Sequence, residues 1–332
     1  LRGLAAGAVA GCGRGEPSDH RRGDLLGGHV RHPADPVRRA RDLWRAGALH
    51  QVAGIHRPQD RGMGSPGDHR QRSDAGGGGI NVSKAIAKLG GNSLCIHTSG
   101  GSAGKMLEEL VNKEGVESRV IPTQNWTREN FIAFENHTKA QYRFGFPGNE
   151  LSEEEKETVI KTIKEIKSDY LVLSGSLNEG LPTDFYQIIA ETAKASGIKV
   201  IVDTSGEALK KVLEKGVYLI KPNIGELAKL IGVERLALPD VEKAAKSLIE
   251  KGSAEIVVVS LGAEGAILVS KNQTEFVAAP IVIKKSTVGA GDSMVGGMVW
   301  ALSQNKPLKE VLQWGVSCGT AATMNEGTQL FK

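Results

Sequence analysis

From Gly76 onward the chain alternates between two hydrophobic rhythms. Short unbroken apolar runs at 170–173, 200–202, 218–220 and 256–259 are each followed by a small or polar turn, with amphipathic stretches between them. Unbroken runs mark strands buried on both faces, and 3.6-residue spacing marks helices lying on them. The pattern therefore predicts an α/β fold of three layers with a mainly parallel central sheet. Helices are expected at 81–89, entered through four glycines, and at 103–113, where Leu107, Leu110 and Val111 share a face. Ser152 with Glu155 forms a capping box that opens a further helix to about residue 167, burying Val159, Ile160, Ile163 and Ile166. Strands are expected at 94–97, 119–121, 130–135 and 141–146, the last two separated by Asn136-His137-Thr138, so that 119–146 reads as a small β excursion. Further apolar runs at 266–269, 275–278 and 281–283 lead into 286–292 and two closing helices.

Residues 1–75 do not share this rhythm. They hold 13 Arg and no Lys against 7 Asp and 1 Glu, whereas the remainder holds 4 Arg and 25 Lys against 30 acids. The overall net charge of +4 thus belongs to the first segment and is a poor argument for a nucleic-acid partner, since the segment lacks interleaved aromatics. A short apolar stretch at 4–9 before Cys12 is too brief for a targeting helix. No strand pattern is evident here, and only 37–46 suits a short helix. The segment reads as a disordered or non-native Arg/Gly-rich stretch, and residues 76–332 as the folded domain. Three cysteines, Cys12, Cys95 and Cys318, sparse and odd in number, argue against a disulfide framework and point to a reducing, cytoplasmic setting.

Three motifs carry chemistry. Ser286-Thr287-Val288-Gly289-Ala290-Gly291-Asp292 precedes a helix, and small residues there let backbone N–H groups point at an anion with the helix dipole behind them. A carboxylate at that spot suits a base that takes a proton from a hydroxyl during phosphoryl transfer, or simply complements the dipole. Gly76-Gly77-Gly78-Gly79-Ile80-Asn81 opens another helix and allows a ligand close to the backbone. Lys221-Pro222-Asn223-Ile224-Gly225-Glu226 follows a buried strand; Asn and Glu three apart can order water around Mg²⁺ or form a capped helix start, the commoner outcome.

Together these motifs resemble the PfkB (ribokinase-like) carbohydrate kinases. Gly77 to Ser83, with Gly90 and Gly100, is similar to that family's first signature; Ser286 to Asp292, with Gly296-Gly297, to its second; and Asn223 to Glu226 to its N-x-x-E motif. Trp126-Thr127-Arg128-Glu129-Asn130, Gln141-Tyr142-Arg143-Phe144, Ser174-Gly175-Ser176-Leu177 and the run from Asp203 to Leu209 resemble the branch that phosphorylates fructose 6-phosphate. The resemblance covers about residues 76–329. It implies ATP-dependent transfer to the C1 hydroxyl of fructose 6-phosphate, a glycolytic step, with tagatose-6-phosphate or 1-phosphofructose kinase as the nearest alternative. Asp292 would be the base, and Gly289, Ala290 and Gly291 the anion hole. Gly78, Gly79, Asn81 and Ser176 would hold the sugar and Arg128 its phosphate. Lys221, Asn223, Ser260, Gly262, Gly265, Thr287 and Thr320 would contact the nucleotide, and Glu226 would orient Mg²⁺. A monovalent cation such as K⁺ would lie near Ser286, Val288, Ala322, Asn325, Gly327 and Gln329. The strands at 119–146 would form a lid that also pairs two subunits into a homodimer; neither nucleic acid nor membrane is implied as a partner.

The chain also departs from that family. The resemblance implies a first central strand ending in a sugar-binding Asp, and nothing in 1–75 reads that way, so no such Asp is assigned. The alternative of a catalytically impaired sugar-phosphate or nucleotide-binding remnant follows from that loss. Lys84 stands where relatives often carry Arg, at a position expected to be solvated or to face phosphate. The chain stops at Lys332, short of an expected final helix.

Overall fold

A computed structural model of the chain describes residues 7–10, 73–134, 141–146, 148, 150–178, 180–325 and 330–331. In chain order the described strands are β1 (Gly7–Ala10), β2 (Leu94–Ser99), β3 (Glu117–Pro122), β4 (Asn130–Phe134), β5 (Gln141–Gly145) and β6 (Tyr170–Ser174). They continue with β7 (Lys199–Asp203), β8 (Val217–Ile220), β9 (Ala254–Ser260), β10 (Ala266–Ser270) and β11 (Thr274–Val277). The helices are α1 (Gly78–Lys88), α2 (Gly101–Lys113), α3 (Glu153–Glu165), α4 (Phe185–Ala195) and α5 (Gly206–Leu213). After them come α6 (Ile224–Ile231), α7 (Val241–Glu250), α8 (Ala290–Ser303) and α9 (Leu308–Thr323).

One sheet runs in the order β11-β10-β9-β8-β7-β6-β1-β2-β3. The β6–β9 neighbours and the β2–β3 pair are parallel, as unbroken apolar runs separated by helices require. Packing sorts the helices into two layers: α1, α2, α8 and α9 on one face, α3 to α7 on the other. β2 shows the division directly, with Cys95 in the cluster of Ile80, Leu107 and Val111, and Ile96 in the cluster of Ile163, Leu171 and Ile189. Each such fully buried aliphatic side chain contributes about 1.5–3 kcal/mol of hydrophobic stabilisation.

Local rules explain most boundaries. Ser152 and Glu155 form the reciprocal cap of α3, whose Glu155 also accepts the Gln124 N–H at 2.7 Å. Val159 and Ile163 of its apolar face are buried, and Ile166 lies just past the helix as its C-cap.

Three features differ from the sequence-based expectation. Residues 117–122 belong to the main sheet as its edge strand, parallel to β2 through the α2 crossover; only β4 and β5 make the small separate sheet. The run 281–283 forms no strand, because the sheet already ends at β11, and Ile281 and Ile283 stay exposed. A strand does exist near the N-terminus: Gly7–Ala10 sits between β2 and β6, antiparallel to both. Four small or β-branched residues, Gly-Ala-Val-Ala, suffice to bridge two ladders even without an alternating pattern to announce them. The helix expected at 37–46 and the turn at 136–138 lie outside the described residues.

β1 is the only described strand joining the β2–β3 pair to the β6–β11 block. Proline at its centre removes an N–H from a doubly flanked position. Val9→Pro is expected to cost about 1–3 kcal/mol, the penalty for leaving a buried polar group unsatisfied. Urea denaturation checks this; an unchanged midpoint would mean that β1 adds nothing to the sheet.

Candidate active site

The site edge is the carboxyl end of the parallel strands, where their connections to the following helices converge. α8 begins there. Its N-cap, Gly289, has φ 76°, a left-handed conformation that glycine adopts without strain. The first intrahelical bond runs from Ser293 N–H to Gly289 O at 2.8 Å, so the amides ahead of it lie at the helix mouth, where the dipole favours an anion. Asp292 stands in this first turn, and the Asn81 amide donates to its Oδ2 at 2.7 Å. The bond spans 211 residues and brings the two signature motifs, on α1 and α8, into one centre. Asn81 Oδ1 is buried and has no protein partner, an acceptor that a ligand hydroxyl would satisfy.

Gly78 starts α1 pressed against the end of β6. A Cβ there would meet Ser174 Oγ and lie 2.8 Å from Gly175 N, so no other residue fits. Gly79, the next residue, is buried. The loop leaving β6 is held from below, since Gly175 O accepts from Thr204 Oγ1 at 2.7 Å and from the Tyr186 hydroxyl at 3.2 Å. Ser176 on that loop is exposed, and Asn178 two residues on lines a small polar depression with Arg128, Thr98, Thr123, Thr127 and Glu150. Arg128, half-buried, is thus held among hydroxyl and amide groups close to the loop that carries Ser176.

Lys221 follows β8 directly, and its ammonium is buried 3.2 Å from Asp203 Oδ1 at the end of β7. A Cβ added at Gly291 would lie 3.4 Å from Lys221 Nζ, which places the ammonium beside the mouth of α8. Burial works against its charge, but Asp203 in contact and Glu226 and Asp292 at longer range outweigh that, so its pKa stands above the ordinary lysine value. Lys221 therefore remains protonated throughout the neutral range.

Asn223 and Glu226 form the reciprocal cap of α6, with N–H to side-chain bonds of 2.9 Å each way. Asn223 also bridges to Ser260, whose N–H bonds Pro222 O at 3.0 Å. Beyond Ser260 the turn is closed by Leu261 N–H to Gly265 O at 2.8 Å. Gly262 and Gly265 both take positive φ there, and a Cβ at Gly265 would sit 2.7 Å from Ala279 N. Thr287 O accepts the Ala290 N–H at 3.4 Å. Gly319 packs against Ala290 O, which brings α9 and its half-buried Thr320 alongside the start of α8. Lys285 and Ser286 N–H groups bond Thr323 O at 2.8 and 3.2 Å, so Ser286 lies next to the end of α9, whose last turn carries Ala322 and is followed by Asn325. Gly327 and Gln329 fall outside the described residues.

Among the described residues no group of three or more His, Cys, Asp or Glu side chains could hold a metal alone. The carboxylates near Lys221 nevertheless suit a divalent cation that arrives with a polyphosphate, because their charge exceeds that of the single ammonium. No helix among the described residues is long and apolar enough to cross a membrane.

Sequence reasoning missed two charged pairs. Asp203 showed only as an acidic residue at a strand end; its partner is visible only once β7 and β8 are known to be neighbours. Lys84 is not solvated: it is 3% exposed and pairs at 3.1 Å with Glu114, the C-cap of α2.

Comparison with known proteins agrees with this geometry. The chain is 42% identical over 259 residues to the ATP-dependent 6-phosphofructokinase isozyme 2 of Escherichia coli, spanning 77% of this chain and 84% of that one. It is 33% identical to the 1-phosphofructokinase of Borreliella burgdorferi, spanning 75% and 81%. The solved phosphofructokinase-2 from Escherichia coli in complex with potassium superposes with a TM-score of 0.75 at 43% identity, covering 77% of this chain and 84% of that one. The same protein has been solved in complex with fructose-6-phosphate and in a tetrameric inhibited form. The model for "pfkB family carbohydrate kinase" matches residues 56–332, and with a ribokinase-like sheet and both signatures meeting at Asp292, the chain belongs to that family.

Proposed function

We propose that the chain is an ATP-dependent 6-phosphofructokinase that transfers the terminal phosphoryl group of ATP to the C1 hydroxyl of fructose 6-phosphate. The observation that carries this reading is the Asn81–Asp292 hydrogen bond at the mouth of α8, which holds a carboxylate in the first turn of that helix. Phosphoryl transfer needs both elements: a base for the attacking hydroxyl and donors for charge on the equatorial oxygens. Asp292 takes the hydroxyl proton, and its fixed orientation keeps the acceptor oxygen in reach. The amides at Gly289, Ala290 and Gly291 and the Lys221 ammonium lower the energy of the transferring group. Asn81 Oδ1, Ser176 and the backbone at Gly78 and Gly79 orient the sugar, and Arg128 binds its phosphate.

Glu226 would hold Mg²⁺ through water, and the ion would neutralise polyphosphate charge. The Ser286–Val288 and Ala322–Asn325 segments would hold K⁺ beside the anion hole. β4 and β5 supply the sheet through which two subunits pair, and the enzyme works in the cytoplasm. Identity to the 6-phosphofructokinase exceeds that to the 1-phosphofructokinase, 42% against 33%, which supports the sugar assignment.

A second reading, a chain that binds its ligands but turns over poorly, rests on the direction of β1. Running antiparallel, it brings Gly7 rather than an acidic side chain to the site edge beside Ser174. ADP release with MgATP and fructose 6-phosphate, beside tagatose 6-phosphate and fructose 1-phosphate, decides between them. Turnover preferring fructose 6-phosphate supports the kinase; binding without turnover supports the second reading.

Asp292→Asn is expected to lower kcat by about 10²–10⁴-fold, the usual contribution of a positioned base, with KM for fructose 6-phosphate little changed. Arg128→Lys, which keeps charge but loses the bidentate fork, is expected to raise KM for fructose 6-phosphate about tenfold while kcat falls less. Steady-state kinetics on both variants checks the two roles.

A further inference from the structure

Lys221 has a long side chain with several torsions, yet it must deliver its ammonium to one spot at the mouth of α8. Three carboxylates compete for that ammonium: Asp203, Glu226 and Asp292. The ion pair recorded for it is with Asp203, at 3.2 Å, and the two side chains are only 8% and 16% exposed. Both ends of the pair are fixed by the sheet. Val202 and Ile220 are register partners on β7 and β8, so the next residues along the site edge are Asp203 and Lys221. Lys221 N–H bonds Val202 O at 3.3 Å, and Asp203 O accepts the Gly175 N–H at 3.0 Å, tying the pair to the end of β6 as well. Pro222 then restricts Lys221 to extended backbone.

We propose that Asp203 is a positioning residue for phosphoryl transfer, acting through Lys221; this rests on the kinase reading above. Asp203 fixes the ammonium beside Gly291, where a transferring phosphoryl group meets it. It also holds the ammonium off Asp292, so that the base is not neutralised by a cation whose own role is to bind the phosphate. A lysine released from Asp203 still has Asp292 and Glu226 within electrostatic reach, and pairing with either would misplace it. Asp203 itself touches neither substrate in this scheme.

The test is a double-mutant cycle in the full chain with Asp203→Asn, Lys221→Met and the pair together, and with Asp203→Glu as the charge-retaining variant. Steady-state kinetics is read with MgATP and fructose 6-phosphate, and MgATP affinity is read by calorimetry without sugar. Asp203→Asn is expected to lower kcat/KM for MgATP about 10–100-fold while KM for fructose 6-phosphate stays within about twofold, as misplacing one catalytic group does. Asp203→Glu is expected to recover part of the loss. In the Lys221→Met background Asp203→Asn should change either readout by less than about twofold, because the two act as one unit. Independent, multiplicative effects would overturn the proposal, as would an equal rise in both KM values. A parent chain without turnover would remove the kinase reading, and the cycle on MgATP affinity would still decide whether Asp203 acts through Lys221.

Discussion

Close backbone contact between α1 and α8 is the constraint on which the site depends. Gly296 has no side chain, and a Cβ there would sit 2.6 Å from Ala85 Cβ and 3.1 Å from Val82 O. Any larger residue would push the helices apart or force their side chains off rotamer. Without that approach Asn81 could not reach Asp292, since the two lie near the starts of helices separated by most of the chain. Gly297 and Gly315 extend the same device to the contact of α8 with α9. The glycines thus trade local helix propensity for the alignment of two helix ends.

The parallel strands supply the second requirement, a common edge. Four consecutive neighbours, β6 to β9, each bring one polar residue to it at or just past the strand end: Ser174, Asp203, Lys221 and Ser260. Neighbouring strand ends are held by the ladder, so Asp203 and Lys221 on adjacent strands pair without any search. The small β4–β5 sheet is separate from this arrangement.

Much of this was legible in the sequence, for physical reasons. Doubly buried strands announce themselves as unbroken apolar runs, so β6 to β9 could be placed within a residue or two. Helix entries with strong local chemistry, such as Ser152–Glu155 and Gly289, were equally plain. What escaped were features set by neighbours rather than by the segment itself. Edge strand β3 looks like a lid strand until its pairing with β2 is known. The run at 281–283 has strand character but no partner to express it. Asp203 and Lys84 gained their roles from groups 18 and 30 positions away in sequence. β1 escaped because four residues carry too little pattern to read, and the geometry that recruits them belongs to β2 and β6.

The placement of β1 has a temporal side. Its residues are synthesised before either neighbour: Val9 pairs with Cys95 on one side and Val172 on the other, and both partners emerge much later. β2 can add to β1 as soon as it emerges, but the other edge of β1 stays open until β6 follows, so the ribosome delivers a β1–β2–β3 half-sheet before it delivers the whole one. Closing so long a loop is entropically slow, and half-sheets with open edges recruit other strands meanwhile. In that interval the slot beside β1 stands open to any strand that reaches it, and the native sheet requires that β6 of the same chain fill it.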